Sequence, residues 1–248
     1  MPAVTPTLIM GVLGIVLSAP AWVLFIRAAR RLYLFIAAGQ PAPGRTNRPV
    51  RRGVQVLKEV FFHTELIRRP AIAVAHWFVM VGFLIGSLVW FEAYIQTFNP
   101  AGGWPLLSQW SLYHFAEEVL AIGTVLGIGF LFAIRLSTGM RERLSRFYGS
   151  NALSAFFVEG VIFLEGAGML LVKAGKIATY GHASPWADFF TQYLARFLPA
   201  SPIMVSAFAL FKLLVGMVWL VVVARNLTWG VAWHRFLAFF NIFFQRNP

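Results

Sequence analysis

The chain carries five histidines and no cysteine, so imidazole is the only common soft ligand that it can offer a metal. The missing thiols exclude disulfides, thiol catalysis and any iron–sulfur cluster held by cysteines of this chain. His76 falls in the apolar run AVAHWFVMVGFLIG, about 8 Å of helix rise from its start. An imidazole at that depth needs a partner, because an unpaired polar group in hydrocarbon costs several kcal/mol. Two chemistries meet the need. One is a hydrogen bond between helices; the other is ligation of a haem iron through a neutral ring nitrogen, with Gly82 and Gly86 leaving room for a flat macrocycle. His234, in NLTWGVAWHRFLAFFNIFF, is the natural second ligand, and beside Arg235 it can equally sit among lipid headgroups. His114 and His182 could hold an outer haem, but a loop ligand is poorly oriented. His63 reads as an interfacial residue.

Ionisable side chains also fall inside apolar runs: Glu159 and Glu165 in the fourth, Lys212 in the fifth, Glu117 and Glu118 at the outer turn of the third. Such residues are functional candidates by default. Glu165 lies about 20 Å from the inner end of its run and Lys212 about 15 Å from the outer end of its own. Across a core of about 30 Å, those depths nearly coincide. The expectation is a buried Glu165–Lys212 ion pair. The competing reading is a proton relay to a quinone, with Glu159 a further candidate for either role. Glu117 and Glu118 are expected to be solvated or paired with backbone groups.

The elements that must position these residues are long and apolar. Hydrophobic residues make up 59% of the chain, charged residues only 12%, and the mean hydropathy is +0.71. A soluble domain carries about 25% charged residues, so lipid has to be the solvent here. Five runs, 7–26, 71–95, 115–134, 152–172 and 202–224, are long enough to span a bilayer. The expected fold is an all-α polytopic bundle of about five transmembrane helices. The net charge of +12 would suggest nucleic acid in a soluble protein. Here the basic residues lie between apolar runs, where they act as topology signals and attract anionic lipid, so no nucleic-acid partner is expected.

Segment 27–69 holds ten Lys and Arg, 135–151 holds four and the tail from Arg225 three; 96–114 holds none and 173–201 three. The bias puts the N-terminus outside and the C-terminus in the cytoplasm of a bacterial inner membrane. Within the cytoplasmic loop 41–69, Val50, Val54, Leu57 and Phe61 recur at helical spacing after the Pro-punctuated PAPGRTNRP, which predicts an amphipathic helix on the membrane face. Residues 186–198 predict a short interfacial helix in the outer loop 173–201.

The run RRLYLFIAAGQPAPGR, with AVAHWFVMVGF, RLSRFYGSN and GVAWHRFLAFFNIFFQR, resembles the N-terminal haem b membrane domain of actinobacterial iron–sulfur-binding reductases. These are the membrane dehydrogenases proposed to accept electrons from electron-transfer flavoprotein. Their membrane part is similar to the nitrate reductase gamma subunit and the haem b subunit of heterodisulfide reductase. The resemblance covers essentially residues 1–248, and GVAWHRF is its most specific piece. It implies a five-helix domain that passes electrons through haem b between a cytoplasmic iron–sulfur module and menaquinone. Gamma subunits hold two haems, each by one histidine of the second span and one of the fifth. The inner pair maps onto His76 and His234. The outer pair does not, because Gly86 and Lys212 stand where histidines would be expected. One haem is therefore the expectation, with the cluster-binding domain lying beyond Pro248 or on a separate chain. A transporter would instead show inverted repeats, and a purely structural anchor would show satisfied histidines and no cofactor.

Overall fold

The computed structural model describes residues 5–64, 66–137 and 148–246. Among them are eight α-helices and no strand: α1 Pro6–Ala37, α2 Pro49–Phe61, α3 Pro70–Phe98, α4 Ser111–Ser137, α5 Ala152–Tyr180, α6 Thr191–Leu194, α7 Pro202–Arg225 and α8 Gly230–Phe243. Short 3₁₀ turns cover Leu107–Gln109 and Ala195–Phe197. Residues 138–147 of the basic connection 135–151, which include Arg141, Arg143 and Arg146, lie outside the described residues.

Start signals explain where the long helices begin. Thr5 and Ser201 accept hydrogen bonds from the Leu8 and Met204 amides, and a proline follows each cap. Asn151 and Ser154 form a reciprocal capping box at α5. Five helices, α1, α3, α4, α5 and α7, are long and apolar enough to cross a membrane, with 24 to 32 residues each. At 1.5 Å per residue that is about 36–48 Å, more than a hydrocarbon core of about 30 Å.

Burial runs opposite to that of a soluble protein. Glu118 and Lys212 are 0% exposed, whereas Ile15, Val16, Ile26, Leu126 and Val218 are exposed. Charged groups sit inside and aliphatic ones outside, the partition expected when hydrocarbon surrounds the bundle. The chain is a multi-pass membrane helix bundle.

Helices α3, α4, α5 and α7 pack in a ring, each against the next, and α1 lies in the groove between α7 and α3. Val79, Ile128, Val158, Ile162, Ala209 and Leu213 meet in the centre. The α3–α4 seam depends on small residues. A Cβ at Gly127 would stand 2.7 Å from the Ala75 carbonyl oxygen, a backbone atom that cannot swing aside. Gly127→Ala should therefore cost about 1–3 kcal/mol as an overpacked contact. A thermal midpoint unchanged from wild type would show that the helices are free to separate.

The fifth apolar run ends where the sequence suggested. After α7, Asn226 donates to the Val222 carbonyl, the Trp229 amide returns to the Asn226 carbonyl, and α8 starts at Gly230. The expected helix at 50–61 appears as α2; of the one expected at 186–198 only 191–197 is helical, as α6 and its following 3₁₀ turn, while 186–190 form turns. The fourth run is longer than its apolar core, so Lys173 and Lys176 are helical rather than part of the outer loop.

Candidate functional site

His76 projects from the second turn of α3 and His234 from the start of α8. Their ring centroids are 6.5 Å apart with planes at 34°. An iron with an imidazole nitrogen about 2 Å away on each side sets two such centroids about 6 Å apart, so the pair has the spacing of a bis-imidazole site. His234 Nδ1 lies 2.7 Å from the Val231 carbonyl oxygen and donates to it, a tautomer that places the ring lone pair on Nε2. Burial pushes this imidazole down to about 3, with Arg235 and His76 adding to the effect, so the ring is neutral as a ligand must be.

His63 is the residue that sequence reasoning misplaced. It is not an interfacial bystander: it is 7% exposed, and its Nε2 lies 2.7 Å from His76 Nδ1. Burial lowers its pKa, against a raising contribution from the Val60 backbone. The chain reaches this position by a reversal after α2. His63 adopts a left-handed φ of 50°, its carbonyl accepts from the Leu66 and Ile67 amides, and Trp77 Nε1 donates to the Phe61 carbonyl. His63 Nε2 and His76 Nδ1 share one proton between them; in the tautomer where His76 donates, the His76 lone pair falls on Nε2. Each candidate ligand thus has an outer partner on Nδ1, the arrangement that orients metal-bound histidines.

Contacts at both ends hold α8 against α2 and the turn before α5. The helix has no side-chain cap of its own; instead its Gly230 amide donates to the Tyr148 carbonyl and its Val231 amide to Ser150 Oγ. Gly149, at φ 66°, passes so close to the Thr228 carbonyl that no side chain would fit. At the other end, buried Arg52 of α2 donates through Nη1 to the Phe243 and Gln245 carbonyls, at 2.7 and 2.9 Å. A guanidinium on the last carbonyls of α8 satisfies groups that no helix can satisfy alone. Arg235 donates to the Val231 carbonyl and lies 5.7 Å over the Phe83 ring, a cation beside the histidine pair. Burial lowers its pKa to about 10, opposed by Glu159, so it stays charged at pH 7.

The buried acids and lysines sort differently from expectation. Lys212 runs over Gly168 of α5, one turn from Glu165, so the matched depths are real. Yet Lys212 Nζ donates to the Val89 carbonyl at 2.8 Å, and the pair interacts only beyond contact range. Glu165 Oε1 is buried without a hydrogen bond. Glu159 meets Arg135 Nη2 at 2.7 Å, which makes it half of a separate ion pair rather than a member of a path through Glu165.

Glu118 is buried and takes the second expected course, pairing with backbone groups. It accepts from the Phe190 and Thr191 amides and from Thr191 Oγ1, and it faces Lys173 Nζ at 2.8 Å. Lys173 also meets Asp188 at 2.9 Å and donates to the His114 carbonyl. This cluster locks the loop between α5 and α7 onto α4 and α5. Glu92 plays a similar part by accepting from the Trp104 amide. His114 Nε2 is engaged with the Ser108 carbonyl and His182 is exposed, so the outer histidines are not brought together as ligands. No protein-family model, curated protein or solved structure matches the chain.

Proposed function

We propose that the chain is a haem b electron-transfer domain of a quinone-linked membrane oxidoreductase, as its resemblance to iron–sulfur-binding reductases implies. The observation that carries this reading is the His76–His234 pair, spaced 6.5 Å apart with each Nδ1 hydrogen-bonded. Bound there, haem would supply one-electron chemistry through its iron. His76 and His234 would hold it by Nε2, and Arg235 offers a cation to its anionic edge. His63 and the Val231 carbonyl keep both rings oriented.

The basic α2 end faces the cytoplasm in this reading. There it receives electrons from an iron–sulfur module, itself fed by electron-transfer flavoprotein, and passes them to menaquinone in the bacterial inner membrane. The exposed stripe of Val50, Val54, Leu57 and Phe61 on α2 rests on the inner membrane surface. A cysteine introduced at position 47 should resist an impermeant thiol reagent applied to intact cells. Labelling from outside would reverse the topology.

The role of His63 has its own signature. Removing the acceptor on His76 Nδ1 makes the ligand a poorer electron donor, which favours reduced iron. His63→Ala should keep the haem and raise its midpoint potential by tens of millivolts, while His63→Gln, which restores an acceptor, should move it back. Equal potentials in wild type and His63→Ala would remove His63 from the site. The test of the function itself is a reduced-minus-oxidised visible spectrum of the purified protein. It distinguishes this reading from a transporter or an anchor, because only a haem b protein gives the band.

A further inference from the structure

Between α1, α3, α5 and α7 lies a cavity of about 280 Å³, near the lower end of the roughly 300–1,000 Å³ usual for small-molecule sites. It begins beside the histidine pair, at Val79 one turn past His76 and at Arg235 next to His234, and runs to Trp90 and Met169; neither histidine lines it. Its walls are flat. Trp22 stacks on Phe91 at 5.9 Å and 11°, and Phe83 meets Phe236 edge-on at 5.9 Å. Phe91 belongs both to the lining and to the exposed surface of α3, so the cavity reaches the lipid side.

Glu165 stands in this apolar wall with Oε1 buried and unbonded. A buried acceptor without a donor weakens the fold unless a ligand completes it. The ligand must bring a donor, be flat, and be apolar enough to arrive through lipid. A soluble anion fails on the carboxylate and on the route. A macrocycle needs more space and has no use for a carboxylate there.

We propose that this cavity seats the ring of a lipid-borne quinol, held between the aromatic walls with one ring hydroxyl donating to Glu165. The proposal rests on the haem reading only for the electron partner; the binding site itself stands on the cavity and Glu165. Gly86 offers a means of closing it, since a Cβ there would meet nothing nearer than Met169 Sδ at 3.7 Å.

The experiment is photolabelling of the purified full chain with an azido-naphthol, whose ring hydroxyl stands in for that of the quinol, competed by menadiol under anaerobic conditions, with haem content and thermal midpoint read in parallel. Wild type should be labelled on the peptides that carry Trp90 or Glu165. Gly86→Leu should abolish labelling while keeping haem and midpoint. Glu165→Gln keeps the shape but replaces one carboxyl oxygen by an amide donor, and it should lower probe affinity about tenfold. Labelling confined to other peptides, or unchanged in Glu165→Gln, would overturn the proposal even if Gly86→Leu fails to fold. A folded Gly86→Leu that loses haem together with label would give the cavity to the macrocycle. Label without haem in wild type would sink the haem reading and leave the site standing; haem without label would do the reverse.

Discussion

Replacing His76 or His234 by alanine should reduce the haem content of the purified protein from about one per chain to near none. Both rings stand at the spacing of a shared iron; of the other histidines, His63 bonds His76 Nδ1 rather than the Nε2 side, His114 is engaged with Ser108 and His182 is exposed. With one of the two imidazoles gone, the remaining one would hold a haem only weakly. The control is His182→Ala, which should leave the spectrum intact. The α2–α8 clamp through Arg52 and the Tyr148–Ser150 contacts do not involve the rings, so the alanine variants should still fold. A His234→Ala protein that retains a low-spin bis-imidazole spectrum would show that the second ligand lies elsewhere.

The largest loss of stability is expected at the opposite end of the bundle. Lys173 Nζ sits within 2.9 Å of both Glu118 and Asp188, and the three side chains are at most 7% exposed. Lys173→Met would leave two carboxylates facing each other in a dry interior. Breaking a buried pair by removing one partner costs about 3–5 kcal/mol. For a chain of this size that corresponds to a fall of roughly 6–20 °C in thermal midpoint. Adding Glu118→Gln and Asp188→Asn should recover much of the loss, because the stranded charges go with the lysine. Haem content should not change, since the cluster lies far along α5 from α8. A Lys173→Met midpoint equal to wild type would mean that water reaches the cluster and screens it.

Sequence reasoning reached the membrane architecture because hydropathy reports directly on the solvent. It also matched the depths of Glu165 and Lys212. Depth is only one coordinate, however. Which way a side chain points around its helix axis decides contact, and Lys212 turns to the Val89 carbonyl instead. The same gap hid the Arg135–Glu159 pair and the docking of Glu118 under Thr191, both of which join residues of separate elements.

His63 was illegible for another reason. Its approach to His76 depends on a left-handed residue in a loop without glycine, and no periodicity or turn signal marks that reversal. Counting Lys173 and Lys176 as loop residues failed because α5 runs past its apolar core, where lysines can be buried if carboxylates or carbonyls receive them.

The central claim is most directly tested by a pyridine-haemochrome assay on the purified full chain, normalised to protein. The account predicts about one haem b per chain, with the spectrum of a bis-imidazole iron. No haem after expression with adequate haem supply, or about two per chain, would contradict it.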